Sequence, residues 1–310
     1  MKNLTFYRTK YSGYFPSNFK ELEEKTLLPL GITPSENEES AQILITNTDT
    51  YLDRPFSDDV KLIIHPNSGY DNFSKKFIEN CPAPIILGNE IRRPAVANYC
   101  LKAITQHFIP KIGETSWSKT RQYSRPLLEQ LHVAIIGKGQ IGTTLGKTLE
   151  TLVDQVTYFD PFKGLPFPEN PSHWGQYDCL VLAAGLNETS INLIDEKVFE
   201  HLKKHALIVN PARGKHVCWK SLISYLNQHA SAAAYVDVFP EEPFPIEDYV
   251  HLSNLKMTSH IAGVFDGLSE KIIEFEKKVL LDYISLDLKT FEEKYQHIDL
   301  RQRIIDGKII

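Results

Sequence analysis

Cysteine is scarce in this chain of 310 residues: the four present, Cys81, Cys100, Cys179 and Cys218, lie far apart with no Cys-x-x-Cys pair. Neither a disulfide framework nor a zinc knuckle is therefore indicated, and most of these thiols read as small core hydrophobes. Long apolar runs are missing as well. No stretch approaches the roughly 18 consecutive apolar residues of a membrane span, and the opening MKNLTFYRTK lacks the apolar core of a signal peptide. A cytoplasmic protein is expected. Runs of five like charges are absent and the net charge is −5, which argues against a nucleic-acid or anionic-membrane partner. Repeats and low-complexity tracts are absent too.

What is there is an ordinary globular composition, 42% apolar and 24% charged, in a chain long enough for two domains. The most informative stretch is Leu131 to Asp160, LHVAIIGKGQIGTTLGKTLETLVDQVTYFD. His132 to Ile136 has the apolar, β-branched character of a strand buried on both faces. Gly137-Lys138-Gly139-Gln140-Ile141-Gly142 follows. In such a turn the first glycine bends the chain, the second lets backbone approach a pyrophosphate, and the third lets the helix pack on the strand. Apolar Ile141, Leu145, Leu149 and Leu152 then repeat at helical spacing, and Gln155 to Phe159 is the next strand. It ends in Asp160, 18 residues beyond Gly142, where a carboxylate can accept from both ribose hydroxyls and would repel a 2′-phosphate. NAD rather than NADP is the expected cofactor. The bland alternative, a glycine-rich connection in another α/β domain, leaves Asp160 a coincidence.

Before this stretch, Leu4 to Arg8, Ala41 to Thr46, Val60 to His65 and Pro84 to Gly88 read as short buried strands, with Asn72 to Glu79 a helix. The turn-rich Pro66 to Asp71 follows the third of them, at the strand end where open α/β sheets bind ligands, although a plain loop fits equally well. Pro94 to Phe108 reads as a helix with proline near its start, crossing between domains. After Asp160, strands are expected over Asp178 to Ala183, Ala206 to Asn210, Ala232 to Asp237 and Leu255 to Ser259. Helices are expected over Asp195 to Leu202, His216 to Leu226 and Gly267 to Ser285.

Reduction of a 2-keto acid by hydride transfer needs a cation for the carboxylate, a proton donor for the developing alkoxide, and a partner for that donor. Three loops at successive strand ends offer them. Asn210-Pro211-Ala212-Arg213-Gly214 supplies Arg213, whose planar fork suits a carboxylate. Asp237-Val238-Phe239-Pro240-Glu241-Glu242-Pro243 supplies acids, and Thr258-Ser259-His260-Ile261-Ala262-Gly263 supplies His260. Singly, Arg213 also suits a helix cap, Glu242 a solvated carboxylate and His260 an interior histidine. Their joint position at strand ends of one sheet favours a site.

These motifs, in this order, resemble the signatures of the D-isomer-specific 2-hydroxyacid dehydrogenases, over about Asn67 to Gly263. The resemblance implies a catalytic trio: Arg213 would bind the substrate carboxylate and carbonyl, His260 would exchange the proton, and Glu242, the residue before the proline, would pair with His260 and favour its protonated form. It implies that Gly137, Gly139, Gln140, Ile141, Gly142 and Asp160 hold NAD, that Asp237 contacts the nicotinamide carboxamide, and that backbone around Ser68 and Gly69 holds the substrate carboxylate. Two places depart from the common pattern: Asn98 stands where many members carry glutamate, and Ala183-Ala184-Gly185 replaces an apolar–proline stretch.

The expected fold is α/β: a Rossmann-type doubly wound parallel-sheet domain over 96–285, and a smaller flavodoxin-like α/β substrate domain from 1–95, completed by 286–310. The expected function is NAD-dependent reduction of a 2-keto acid to a D-2-hydroxy acid by a homodimer. Its rival is an NADH-sensing, corepressor-like binding protein with little turnover. A methyltransferase using the glycine turn for S-adenosylmethionine would have no use for the Arg, Glu and His set. The identity of the keto acid is not written in these residues.

Overall fold

A computed structural model of the chain describes residues 4–13, 15–53, 57–109, 126–305 and 307–309. The chain opens with β1 (Leu4–Arg8), α1 (Phe19–Leu27), β2 (Ile32–Pro34), β3 (Ile43–Ile45), β4 (Leu62–His65), α2 (Lys75–Asn80), β5 (Ile85–Leu87) and α3 (Asn89–Phe108). Then come β6 (His132–Ile136), α4 (Gln140–Leu149), β7 (Gln155–Phe159), β8 (Cys179–Leu182), α5 (Glu196–His201) and β9 (Leu207–Asn210). After these follow α6 (Trp219–Gln228), β10 (Ala233–Val236), β11 (Leu255–Met257), α7 (Leu268–Ser285), α8 (Leu288–Tyr295) and a hairpin of β12 (Ile304–Ile305) and β13 (Lys308–Ile309).

These elements form two compact units, Met1–Arg92 with Val264–Ile310, and Arg93–Gly263. The first holds a five-stranded parallel sheet in the order β2-β1-β3-β4-β5. The second holds a six-stranded parallel sheet in the order β11-β10-β9-β8-β6-β7. This is the doubly wound α/β architecture read from the sequence, with the smaller sheet in the flavodoxin-like order.

Two-residue periodicity explains why both sheets need cover on both faces. In the first unit, Ile43, Ile45, Leu62, Ile64 and Ile86 pack into one core cluster, while Leu44, Ile63, Ile85 and Leu87 pack into another. In the second, Ala134, Ile136, Leu180, Leu182 and Ile208 face one core and Val133, Ile135, Val181, Leu207 and Val209 the other. Burying each large aliphatic side chain stabilises the fold by about 1.5–3 kcal/mol.

The unit boundaries differ from the expected 95/96 and 285/286. Helix α7 belongs with the first unit because its buried Leu268, Ile272, Ile273, Phe275, Val279 and Leu280 share a core with Leu4, Phe6 and Phe19. Helix α3 begins at Asn89, so Pro94 lies inside it rather than at its start. Pro94 has no N–H to give the Glu90 carbonyl, a loss the helix tolerates here. Helix α1 and strand β2 have no counterpart in the sequence reading. The helix is rich in charge, and β2 is an edge strand of which only Ile32 is buried. Among the described residues no helix is long and apolar enough to cross a membrane.

Candidate active site

Strand β6 lies between β7 and β8, where the strand order of the second sheet reverses, and the glycine-rich turn leaves it there. Gly137 has a φ of +100°, and a Cβ on it would come within 2.7 Å of the Ala183 backbone. A Cβ on Gly142 would lie 2.0 Å from the Gly137 carbonyl oxygen. The protein's own packing therefore demands these two glycines. Gly139 is different: its φ is −78°, open to any residue, and nothing lies within 4 Å of a Cβ there. That clearance is what a pyrophosphate needs, so the turn fits a dinucleotide. Gln140 and Ile141 open α4, whose N-terminus carries no side-chain cap and can present N–H groups to an anion.

Asp160 follows directly on β7, and its Oδ2 accepts the Lys138 N–H at 2.9 Å. Lys163 Nζ donates to the Lys138 carbonyl at 2.6 Å. The carboxylate expected to face the ribose is thus a brace for the turn. Ala183-Ala184-Gly185, one of the departures, runs beside this turn, with Ala183 N–H donating to the Ile136 carbonyl at 2.7 Å. Asn98, the other, is exposed on α3.

Strands β9, β10 and β11 are parallel neighbours, so the loops after them emerge at one end of the sheet. After β9, Asn210 pins the turn that presents Arg213. Its Oδ1 accepts the Ala212 N–H at 3.1 Å and its Nδ2 donates to the Arg213 carbonyl at 2.9 Å. Gly214 must lack a side chain, because a Cβ would lie 1.9 Å from the Phe239 carbonyl carbon. The Arg213 loop and the Glu242 loop are in this way pressed together. Beneath the latter, Phe239 stacks on Phe244 with centroids 4.3 Å apart, and Trp219 and Tyr249 complete the aromatic cluster.

Glu242 and His260 meet: Nδ1 of the imidazole lies 2.8 Å from Glu242 Oε2, and Oε1 accepts the Phe239 N–H at 3.0 Å. A carboxylate only accepts, so Nδ1 carries the hydrogen of this contact. Burial alone would raise the Glu242 pKa. The hydrogen bonds from His260 and the Phe239 N–H, with the charges of His260 and Arg213, outweigh it and hold the carboxyl below its ordinary value. Asp237, expected at the nicotinamide, is 1% exposed, and its carboxylate accepts from Thr258 and from the Ile261 and Ala262 N–H groups.

Ser68 and Gly69 lie in the first unit, on the loop after β4. Buried His65 Nε2 donates to the Gly69 carbonyl at 2.9 Å while Nδ1 accepts the Thr46 hydroxyl at 2.8 Å. Arg92 Nη1 donates to the Pro66 carbonyl at 2.7 Å, and Asn72 Nδ2 donates to the Asn47 and Thr50 carbonyls. The loop is fixed, and the buried Ser68 Oγ has no hydrogen-bond partner among the described residues.

Residues 102–262 match the family model of the D-isomer specific 2-hydroxyacid dehydrogenase, NAD binding domain. The chain belongs to this family. A glyoxylate reductase of Pyrococcus horikoshii is 30% identical over 159 residues, 49% of this chain and 48% of the relative. One from Thermococcus litoralis is 24% identical over 246 residues, 72% of this chain and 74% of the relative. The chain spans about half the length of the curated relatives it matches first. Among solved structures, a D-lactate dehydrogenase from Aquifex aeolicus complexed with NAD and lactic acid superposes with a TM-score of 0.71 at 16% identity, covering 96% of this chain and 99% of that one. A glyoxylate reductase from Paecilomyes thermophila gives 0.71 at 17% identity, covering 92% and 96%. At these identities the likeness is one of fold. In this member of the D-2-hydroxyacid dehydrogenases, sequence reasoning missed Tyr99, whose hydroxyl lies 3.2 Å from that of Thr258. Helical periodicity places Tyr99 on α3 but says nothing of what it reaches.

Proposed function

We propose that this protein is an NAD-dependent 2-keto acid reductase, equally a D-2-hydroxyacid dehydrogenase, acting on a small substrate of the glyoxylate type. The observation that carries the reading is the 2.8 Å contact between His260 and Glu242, with the Arg213 charge acting on the same carboxylate, at strand ends of the sheet that bears the dinucleotide turn. Gly139, Gln140, Ile141 and Asp160 would hold the cofactor, and bound NADH supplies the hydride for the substrate carbonyl carbon. Arg213 grips the carboxylate and polarises the carbonyl. His260 gives the developing alkoxide its proton from Nε2, and Glu242 keeps the imidazole oriented and charged.

Four free cysteines suit a reducing compartment, and a cytoplasmic homodimer is the state this reading implies; light scattering on the purified protein measures the assembly. Purified protein is offered NADH with glyoxylate, hydroxypyruvate and pyruvate in turn, and cofactor oxidation is followed. The reading expects turnover with at least one of them. A protein that binds NADH tightly and turns over none of them is the binding-protein rival.

A further inference from the structure

His260 has a φ of +57°, in the left-handed region that disfavours a residue with a side chain. Such a conformation persists only where its surroundings over-determine it. Here three successive peptide N–H groups converge on one residue. The Asp237 carbonyl accepts the His260 N–H at 2.8 Å, Asp237 Oδ1 accepts the Ile261 N–H at 2.8 Å, and Oδ2 accepts the Ala262 N–H at 2.8 Å.

Asp237 is itself held. The Thr258 hydroxyl lies 2.6 Å from its Oδ1 and 3.2 Å from the Tyr99 hydroxyl. A carboxylate cannot donate, so Thr258 gives its one proton to Asp237 at 2.6 Å, and the longer contact to Tyr99 packs the phenol against that hydroxyl. The chain of contacts runs from α3 through the end of β11 to the turn that carries the imidazole. All of its members lie in the second unit.

We propose that Tyr99, Thr258 and Asp237 are positioning residues: together they lock the left-handed turn at His260 and so aim its imidazole at Glu242. The inference rests on the acid–base reading of His260 and deepens it. It also gives Asp237 a task that is complete without cofactor. Oδ2 keeps a second lone pair, so a contact to a carboxamide stays compatible with this task.

The test uses the full-length protein and three conservative variants, Thr258→Val, Thr258→Ser and Tyr99→Phe, with melting temperatures to verify folding. Amide exchange at Ile261 and Ala262, and titration of the His260 ring signals by NMR, are read without substrate or cofactor. Thr258→Val is expected to speed exchange at both amides roughly tenfold or more, as loss of one charge-assisted hydrogen bond should. It should also move the His260 ring signals as the Glu242 contact loosens. Thr258→Ser restores both, and Tyr99→Phe moves both in the same direction by less. With a keto acid that the enzyme accepts, Thr258→Val lowers kcat while KM and NADH affinity stay near wild type. Wild-type exchange and wild-type ring titration in Thr258→Val would overturn the proposal, and so would altered exchange with an unmoved imidazole. If the wild-type protein reduces no keto acid, the acid–base reading falls, while the amide measurements still decide what holds the turn.

Discussion

Nδ1 of His260 and Oε2 of Glu242 stand 2.8 Å apart, and the same carboxylate takes the Phe239 N–H on its other oxygen. The pair is built from two loops, and the Glu242 side is fixed by its own chain as well as by the histidine. Glu242→Gln keeps the shape and removes the charge. Keto-acid reduction should then slow wherever the wild-type Glu242 carboxylate is charged. At the acid end, the lowered Glu242 pKa means that the ion pair is intact above the ordinary carboxylate range and is lost as pH falls through the folded value. pH profiles of kcat/KM for both proteins check this, and coincident profiles would count against the pairing.

His260→Ala removes the proposed proton donor but leaves the glycine turn and Asp160 untouched. Turnover should fall roughly 10²–10⁴-fold, the usual worth of a positioned general acid, with NADH affinity by fluorescence titration nearly intact. Unchanged turnover would mean that the proton comes from elsewhere.

Arg213→Lys keeps the charge and loses the planar fork. Losing a charge-assisted hydrogen bond worth about 1.5–3 kcal/mol should lower kcat/KM by roughly ten- to a hundredfold. Because Arg213 Nη1 also donates to the Ala212 carbonyl at 2.7 Å, the shorter fix on its own loop goes too. Acetate added at high concentration should inhibit the wild type more than the variant. Equal kcat/KM in the two proteins would remove Arg213 from the substrate.

How far the site could be read from sequence follows from where its information lies. The strand–turn–helix–strand of the nucleotide half is local: β6 and β7 occupy the expected residues, and the helix expected from Asp195 is there, capped by its Oδ1 on the Val198 N–H. That the loops of Arg213, Glu242 and His260 gather at one end of a sheet was legible, because each follows a strand of one parallel sheet. Helix α1 was not, because its few buried positions include Glu23, whose partner Arg8 comes from β1. Nor was the bond between Tyr99 and Thr258, separated by most of the second unit, since no periodicity couples a helix face to a loop hydroxyl so distant in the chain. The end of the second unit escaped too, because the apolar stripe of α7 does not announce which core it joins.

Asp160 braces the turn through the Lys138 N–H, and the proposed cofactor site also gives it the ribose. Asp160→Ala should therefore weaken NADH and admit NADPH, since no carboxylate then faces a 2′-phosphate. It should also lower the melting temperature slightly, by freeing that N–H. Dissociation constants for both cofactors measure the first effect, and an unaltered ratio would count against the ribose role.

In the first unit, buried Arg8 donates to Glu23 and to Glu276, so one guanidinium faces two carboxyl groups with almost no water. Burial, the largest cause, and the Glu23 charge push the Glu276 pKa up to about 7 against the opposing pull of Arg8, and its Oε2 has no hydrogen-bond partner among the described residues. The folded protein then binds a proton that the unfolded chain releases near its ordinary carboxylate value. Between those two values the folded state carries the extra proton, so stability is full at the acid end of the window and declines as pH rises through about 7. Glu276→Gln fixes the neutral form. Its melting temperature should vary less from pH 5 to pH 8, roughly the span between ordinary and raised values, and should exceed the wild type at the alkaline end. If the variant keeps the wild-type slope, the proton resides on another group. If it melts lower at every pH, the carboxylate charge on Arg8 outweighs the burial that opposes it.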